Sequence, residues 1–253
     1  MIKRETYIKQ IRPFKHKNII KVLTGLRRSG KSVMLQLIQE ELANDGVAPS
    51  QFISMNFESA EYTPLKTGDA LYQDLSRKLS EILGKAYLFL DEIQEVTQWE
   101  TCVNSLSVDF DVDIYITGSN ANLLSGELAT YLAGRYVEIK VYPFSYLEFL
   151  DVCKQKEENL SDQEAFIKYL HLGGMPFLIN LDFAEEPSYL YLRNIYNSVI
   201  LKDVIQRNRI RDAELLERII MYVVANIGHT FSAKSLSDFM KSENRKAAPE
   251  TVY

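Results

Sequence analysis

Little in this sequence is suited to covalent cross-linking, to a protein-built metal cage or to a membrane. Its two cysteines, Cys102 and Cys153, form no C-x-x-C and are too few for a disulfide framework. Its three histidines, His16, His171 and His229, lie far apart without metal-ligand spacing. The longest apolar stretches, such as Ala86–Leu90 and Ile219–Ala225, fall well short of a membrane span. The N-terminal residues carry charge but no apolar core, so no secretory signal is visible. Reduced thiols in a cytoplasmic chain without membrane contact are the expectation.

A large excess of one charge is also missing. The balance is 29 basic against 34 acidic residues, net −5, which excludes a chain that binds nucleic acid by its overall charge. Locally the first 21 residues are basic: Lys3, Arg4, Lys9, Arg12, Lys15, Lys17 and Lys21 against Glu5 alone. Such an arm could meet nucleic acid or an acidic partner, but a solvated charged face is the simpler reading. At 253 residues the chain exceeds the usual single core, so one large domain with a smaller appendage is expected.

What the sequence does contain is a complete G-x-x-x-x-G-K-S: Gly25-Leu26-Arg27-Arg28-Ser29-Gly30-Lys31-Ser32. An extended run, Asn18–Thr24, enters it and an amphipathic helical run, Val33 to Leu42, leaves it. That strand–loop–helix setting makes the pattern a phosphate-binding loop. Gly25 and Gly30 allow successive N–H groups to turn inward as an anion nest. The helix N-terminus adds unpaired donors and about half a positive charge. Gly25 through Val33 are therefore the candidate nucleotide contacts. Lys31 is placed to reach the β- and γ-phosphates, and the Ser32 hydroxyl to ligand Mg²⁺.

A second strand is expected at Gln51–Phe57 and a helix over Leu71, Leu75, Leu79 and Ile82. Then Ala86-Tyr87-Leu88-Phe89-Leu90-Asp91-Glu92 reads as a strand buried on both faces and ended by two acids, as in a parallel sheet. Its C-terminal tip would lie where open α/β sheets bind ligands. Asp91 is the candidate Mg²⁺ ligand, and Glu92 the base that orients and deprotonates the attacking water. Val112–Thr117 is a further strand, ending in Gly118-Ser119-Asn120. Ser119 and Asn120 could sense the γ-phosphate, and either could simply cap the next helix. Arg135, just before the strand Tyr136–Val141, could supply charge to a transferring phosphoryl group, in cis or across a subunit interface, or make a surface ion pair.

From Pro143 the pattern turns helical: Ser145–Val152, Asp162–Leu172 and a long helix from about Glu186 to Arg207. Between the last two lies Gly173-Gly174-Met175-Pro176, ordinary helix-stop chemistry. Asp212–Ile227 and Ser232–Met240 follow, and Pro249–Tyr253 looks like the start of a third helix, as in a winged-helix unit cut in its middle. The expected division is 1–143, a P-loop core; 144–210, a helical segment; and 211–253, a partial winged helix.

Taken in order, Gly25–Ser32, Tyr87–Glu92, Ile116–Asn120, Leu132–Arg135 and Gly173–Pro176 resemble prokaryotic P-loop ATPases of the AAA superfamily, close to the signal-transducing (STAND) branch. The resemblance implies an α/β fold: five parallel strands with the phosphate-loop strand central, sandwiched by helices, then a helical lid and a winged helix. It implies ATP and Mg²⁺ as ligands, Arg135 at the arginine-finger position and Pro176 in a lid turn near adenine. Family members usually continue into a further C-terminal domain of uncertain function. A homo-oligomer, and a DNA or protein partner at the C-terminal region, are left open. So are two alternatives, a small-molecule kinase and a nucleotide-regulated binding module; a GTPase is disfavoured because no Asn-Lys-x-Asp is present.

Overall fold

The structure is a computed structural model that describes residues 2–119, 132, 134–156, 160–199, 204–205, 210, 212–230 and 232–242, with backbone alone at 119, 241 and 242. Two compact units divide the chain, Met1–Ile195 and Tyr196–Tyr253. Asn120, the end of the long helix expected to reach Arg207, and Pro249–Tyr253 lie outside the described residues. No described helix is long and apolar enough to cross a membrane.

The first unit begins with α1 (Glu5–Ile11), then β1 (Ile20–Gly25), α2 (Lys31–Asn44), β2 (Phe52–Asn56), α3 (Gly68–Ser80), β3 (Ala86–Asp91), α4 (Trp99–Asp109), β4 (Val112–Ser119) and β5 (Tyr136–Val141). The five strands pair in parallel in the order β2-β3-β4-β1-β5. β1 is thus an interior strand, but the middle place belongs to β4, a correction to the expected arrangement. Pleating explains why the run from Ala86 to Leu90 is apolar throughout. Ala86, Leu88 and Leu90 face the layer containing α3 and α4, while Tyr87 and Phe89 face the layer containing α1 and α2.

The flanking helices carry their own start and stop signals. Thr67 caps α3 by accepting from the Ala70 N–H, and Leu71, Leu75 and Leu79 recur one turn apart into the core. After β5 come α5 (Tyr146–Lys156), α6 (Asp162–Leu172) and α7 (Glu185–Ser198). Ser161 and Glu164 close a capping box on α6, and Gly173, at φ 69°, ends it. A separate apolar cluster of Phe144, Phe149, Val152, Leu172, Leu178 and Phe183 holds this helical segment together. In the second unit, α8 (Ala213–Ala225) packs Leu215, Ile219 and Tyr222 against Leu236 and Met240 of α9 (Ala233–Ser242).

The basic N-terminal arm is not a uniformly solvated face. Lys3 and Lys9 are exposed, yet Arg4 and Lys21 are fully buried. Lys21 pairs with buried Asp113 on β4, and Asp113 also accepts from the Tyr115 hydroxyl and the His16 N–H. These partners are distant in sequence, which is why the charge run alone suggested solvent.

Candidate nucleotide site

All five strands point the same way, so their C-terminal ends gather along one edge of the sheet, and β1 delivers the glycine loop there. Gly25 lies where a Cβ would sit 2.1 Å from the Val141 carbonyl oxygen, so no larger residue fits between β1 and β5. Gly30, at φ 98°, turns the loop into α2, whose first residue is Lys31. The first-turn N–H groups of that helix have no intrahelical acceptors and face an incoming anion. Arg28 also sits in the left-handed region, at φ 64°.

Lys31 is 96% buried at its side chain and bends back along the loop. Its Nζ lies 3.4 Å from the Gly25 carbonyl oxygen, 3.3 Å from that of Leu26 and 3.6 Å from Glu92 Oε1. Asp91, at the tip of β3, accepts hydrogen bonds from the Thr117 hydroxyl and, at 3.0 Å, from Asn56 Nδ2, and the Ser32 hydroxyl is near enough to favour its charged form. Burial pushes the Asp91 carboxyl above its ordinary value, and these donors only partly offset it. Glu92 leaves the strand with φ 53°, its N–H donating to Thr117 Oγ1 at 3.0 Å and its carboxylate accepting from the Gln94 amide. The αL kink at a non-glycine residue turns Glu92 toward Lys31 rather than along the strand.

The structure therefore brings Gly25–Ser32, Asp91 and Glu92 into one site. Pro176 joins them: its Cγ lies 3.8 Å from where a Gly30 Cβ would stand. Leu26 is exposed and Arg27 half-buried on the loop, and Val33 follows in the first turn of α2. The Ser119 backbone ends β4, in register with Gly25, so it lies on the same edge; its side chain and Asn120 are outside the description. Arg135 is not gathered in. It precedes β5, its carbonyl accepts from the Ile20 N–H, and its guanidinium donates to Asn104 Oδ1 at 2.6 Å. The six steps from Arg135 to Val141, which pairs with Gly25, put it about 20 Å from the loop at about 3.3 Å per residue, at the opposite edge of the sheet.

Four participants escaped the sequence reading: Asn56, Thr117, Gln94 and Arg4. A lone polar residue at the end of an apolar strand was the available signal for the first two. Nothing local distinguishes Arg4. Yet its buried guanidinium donates to Glu148 Oε1 and Oε2 at 2.8 and 3.2 Å, to the Ser29 carbonyl at 3.1 Å and to those of Tyr142 and Pro143 at 2.8 and 3.4 Å.

The donor set suits a phosphate-bound magnesium. The Ser32 hydroxyl in the first helical turn lies near the Asp91 carboxylate at the strand tip, and among the described residues no cluster of three His, Cys, Asp or Glu side chains offers an all-protein cage. Mg²⁺ characteristically takes few protein oxygens and completes its shell with phosphate and water.

Residues 17–150, more than half the chain, match the family model described as AAA domain. The chain belongs to that family. Residues 163–250 of this AAA-domain chain also match a domain of unknown function. An uncharacterized protein of Haemophilus influenzae is 39% identical over the whole chain, and one of Methanocaldococcus jannaschii is 32% identical over 93% of it. The chain spans 62% and 53% of those two relatives. A Walker-type ATPase of Pyrococcus abyssi shares the fold, with a TM-score of 0.63 at 16% identity, over 100% of this chain and 87% of that one. The family match and the shared fold agree on an AAA-domain chain with a P-loop-type α/β fold.

Proposed function

We propose that this chain hydrolyses ATP with Mg²⁺ and uses the cycle as a conformational switch. The observation that carries the reading is the meeting of Lys31, Ser32, Asp91 and Glu92 at one end of a parallel sheet, with Lys31 Nζ 3.6 Å from Glu92 and Thr117 hydrogen-bonded to both Asp91 and Glu92. The loop amides and Lys31 would bind the β- and γ-phosphates, and Ser32 and Asp91 would hold the metal. Bound there, Mg²⁺ supplies positive charge that offsets the charge developing on the phosphate oxygens. Glu92 accepts a proton from water as the water oxygen bonds to the γ-phosphorus. The bond from that phosphorus to the β–γ bridging oxygen breaks, leaving ADP and phosphate. Thr117 ties both acids to β4, fixing their spacing.

Residues 144–210 act as the lid in this reading, with Pro176 carrying its turn against the glycine loop, and 211–253 as winged-helix elements. Ser119 and Asn120 serve as γ-phosphate sensors. Arg135, at the far edge of its own sheet, serves a neighbouring subunit, which makes a homo-oligomer the active form. The STAND-like branch, a cytoplasmic location and a DNA or protein partner for the C-terminal region belong to the same proposal. The test is release of ADP and phosphate from ATP, with and without Mg²⁺ and across protein concentration. Magnesium-dependent release that rises per molecule with concentration is expected; transfer of phosphate to an added small acceptor instead of water would replace the ATPase with a kinase.

A further inference from the structure

A buried arginine far from the phosphate-binding residues in sequence needs a reason. Arg4 is 2% exposed, and its guanidinium is sandwiched between the rings of Tyr7, 4.5 Å from the centroid, and Phe144, 5.1 Å away. Its charge is balanced by Glu148 in the first turn of α5. Glu148 also accepts from the Ser145 N–H, so it is fixed before Arg4 reaches it. Three more of Arg4's bonds go to backbone carbonyls: Ser29 in the glycine loop, and Tyr142 and Pro143 just after β5.

The Ser29 carbonyl is the informative partner. A trans peptide is planar, with its C=O and N–H pointing opposite ways. Holding the Ser29 oxygen toward Arg4 therefore turns the Gly30 N–H away from Arg4, toward the phosphate side of the loop. Among the described residues that N–H has no protein acceptor. Glycine at position 30, at φ 98°, makes the opposite setting of this peptide sterically cheap. The flipped peptide would aim a carbonyl oxygen at the phosphates and repel them. Something must select the productive setting, and Arg4 is the charged donor in contact with that oxygen.

We infer that Arg4 is a positioning residue for the phosphate cradle: it locks the Ser29–Gly30 peptide so that the Gly30 N–H faces a bound nucleotide phosphate, and it ties this setting to α5 through Glu148. The inference rests on the nucleotide-binding reading above. It places control of phosphate affinity partly in a residue that touches no phosphate.

The experiment compares wild type, Arg4→Lys, Arg4→Met and Glu148→Gln, each checked for folding by circular dichroism. Dissociation constants are measured for ADP and for Mg²⁺ with ATP, and the Gly30 amide resonance is followed through an ADP titration. Losing one charge-assisted hydrogen bond to phosphate corresponds to about ten- to a hundredfold in affinity. Wild type is expected to show a downfield Gly30 shift on binding, and Arg4→Lys and Arg4→Met to bind ADP and ATP weaker by that factor and alike and to lack that shift. Glu148→Gln, which keeps the Ser29 contact, should lose less than either. Folded Arg4 variants with wild-type affinities and an unchanged Gly30 shift would overturn the inference. So would failure of both Arg4 variants to fold, which would make the arginine a folding element. If wild type itself binds neither ADP nor ATP, the nucleotide reading fails first and takes this inference with it.

Discussion

A carboxylate positioned for a cation is costly to bury on its own, and Asp91 shows it. Desolvation raises its pKa above the ordinary 3.8, with the Glu92 charge adding to the rise and Thr117, Ser32 and Lys31 opposing it. Between the unfolded and folded values the native chain holds more protons than the unfolded one. The contribution of Asp91 to stability therefore falls as pH climbs through that window, and stays at the lower level above it. Urea denaturation should show Asp91→Asn gaining on wild type as pH rises from about 4; a flat difference would mean that the site solvates the acid fully. The acids themselves were legible because a short contiguous pattern encodes them. Asn56 and Thr117 were not, since only the strand order β2-β3-β4 brings them to Asp91.

At the scale of elements, close strand packing sets the limits. A Cβ at Gly25 would meet the Val141 carbonyl, which is backbone and has nowhere to go. Gly25→Ala should cost about 1–3 kcal/mol by overpacking and displace the loop; an unchanged melting temperature would show that β1 and β5 separate freely. Buried Lys21 makes the second case. Removing one partner of a buried pair leaves the other charge stranded, so Lys21→Ala should lose about 3–5 kcal/mol in denaturant unfolding. A loss under about 1 kcal/mol, the range of surface pairs, would mean that Asp113 is satisfied by Tyr115 and His16 alone. β5, α6 and the phosphate-loop helix were readable from periodicity and caps, with ends within two residues. Strand order was not, because parallel strands that are apolar on both faces carry no mark of their neighbours. Nor were the partners of Arg4 and Lys21, since a charge reads as solvent-facing until its distant counter-charge is known.

Across the whole molecule, the placement of Arg135 matters most. A residue about 20 Å from its own glycine loop, at the far edge of the sheet, can assist phosphoryl transfer only in a neighbour. Mixing Arg135→Ala with Glu92→Gln protein should then restore part of the hydrolysis that each lacks alone, because mixed interfaces unite an intact Glu92 with an intact Arg135. Absence of rescue at concentrations where the two associate would return Arg135 to its hydrogen bond with Asn104. The central claim is that one set of side chains at one edge of the sheet both holds Mg²⁺ with ATP and cleaves it. The direct measurement is turnover and ATP affinity of Glu92→Gln beside wild type, at a protein concentration where wild type is active. The account predicts retained affinity with turnover reduced about 10²–10⁴-fold; undiminished turnover would remove Glu92, and with it this site, from the chemistry.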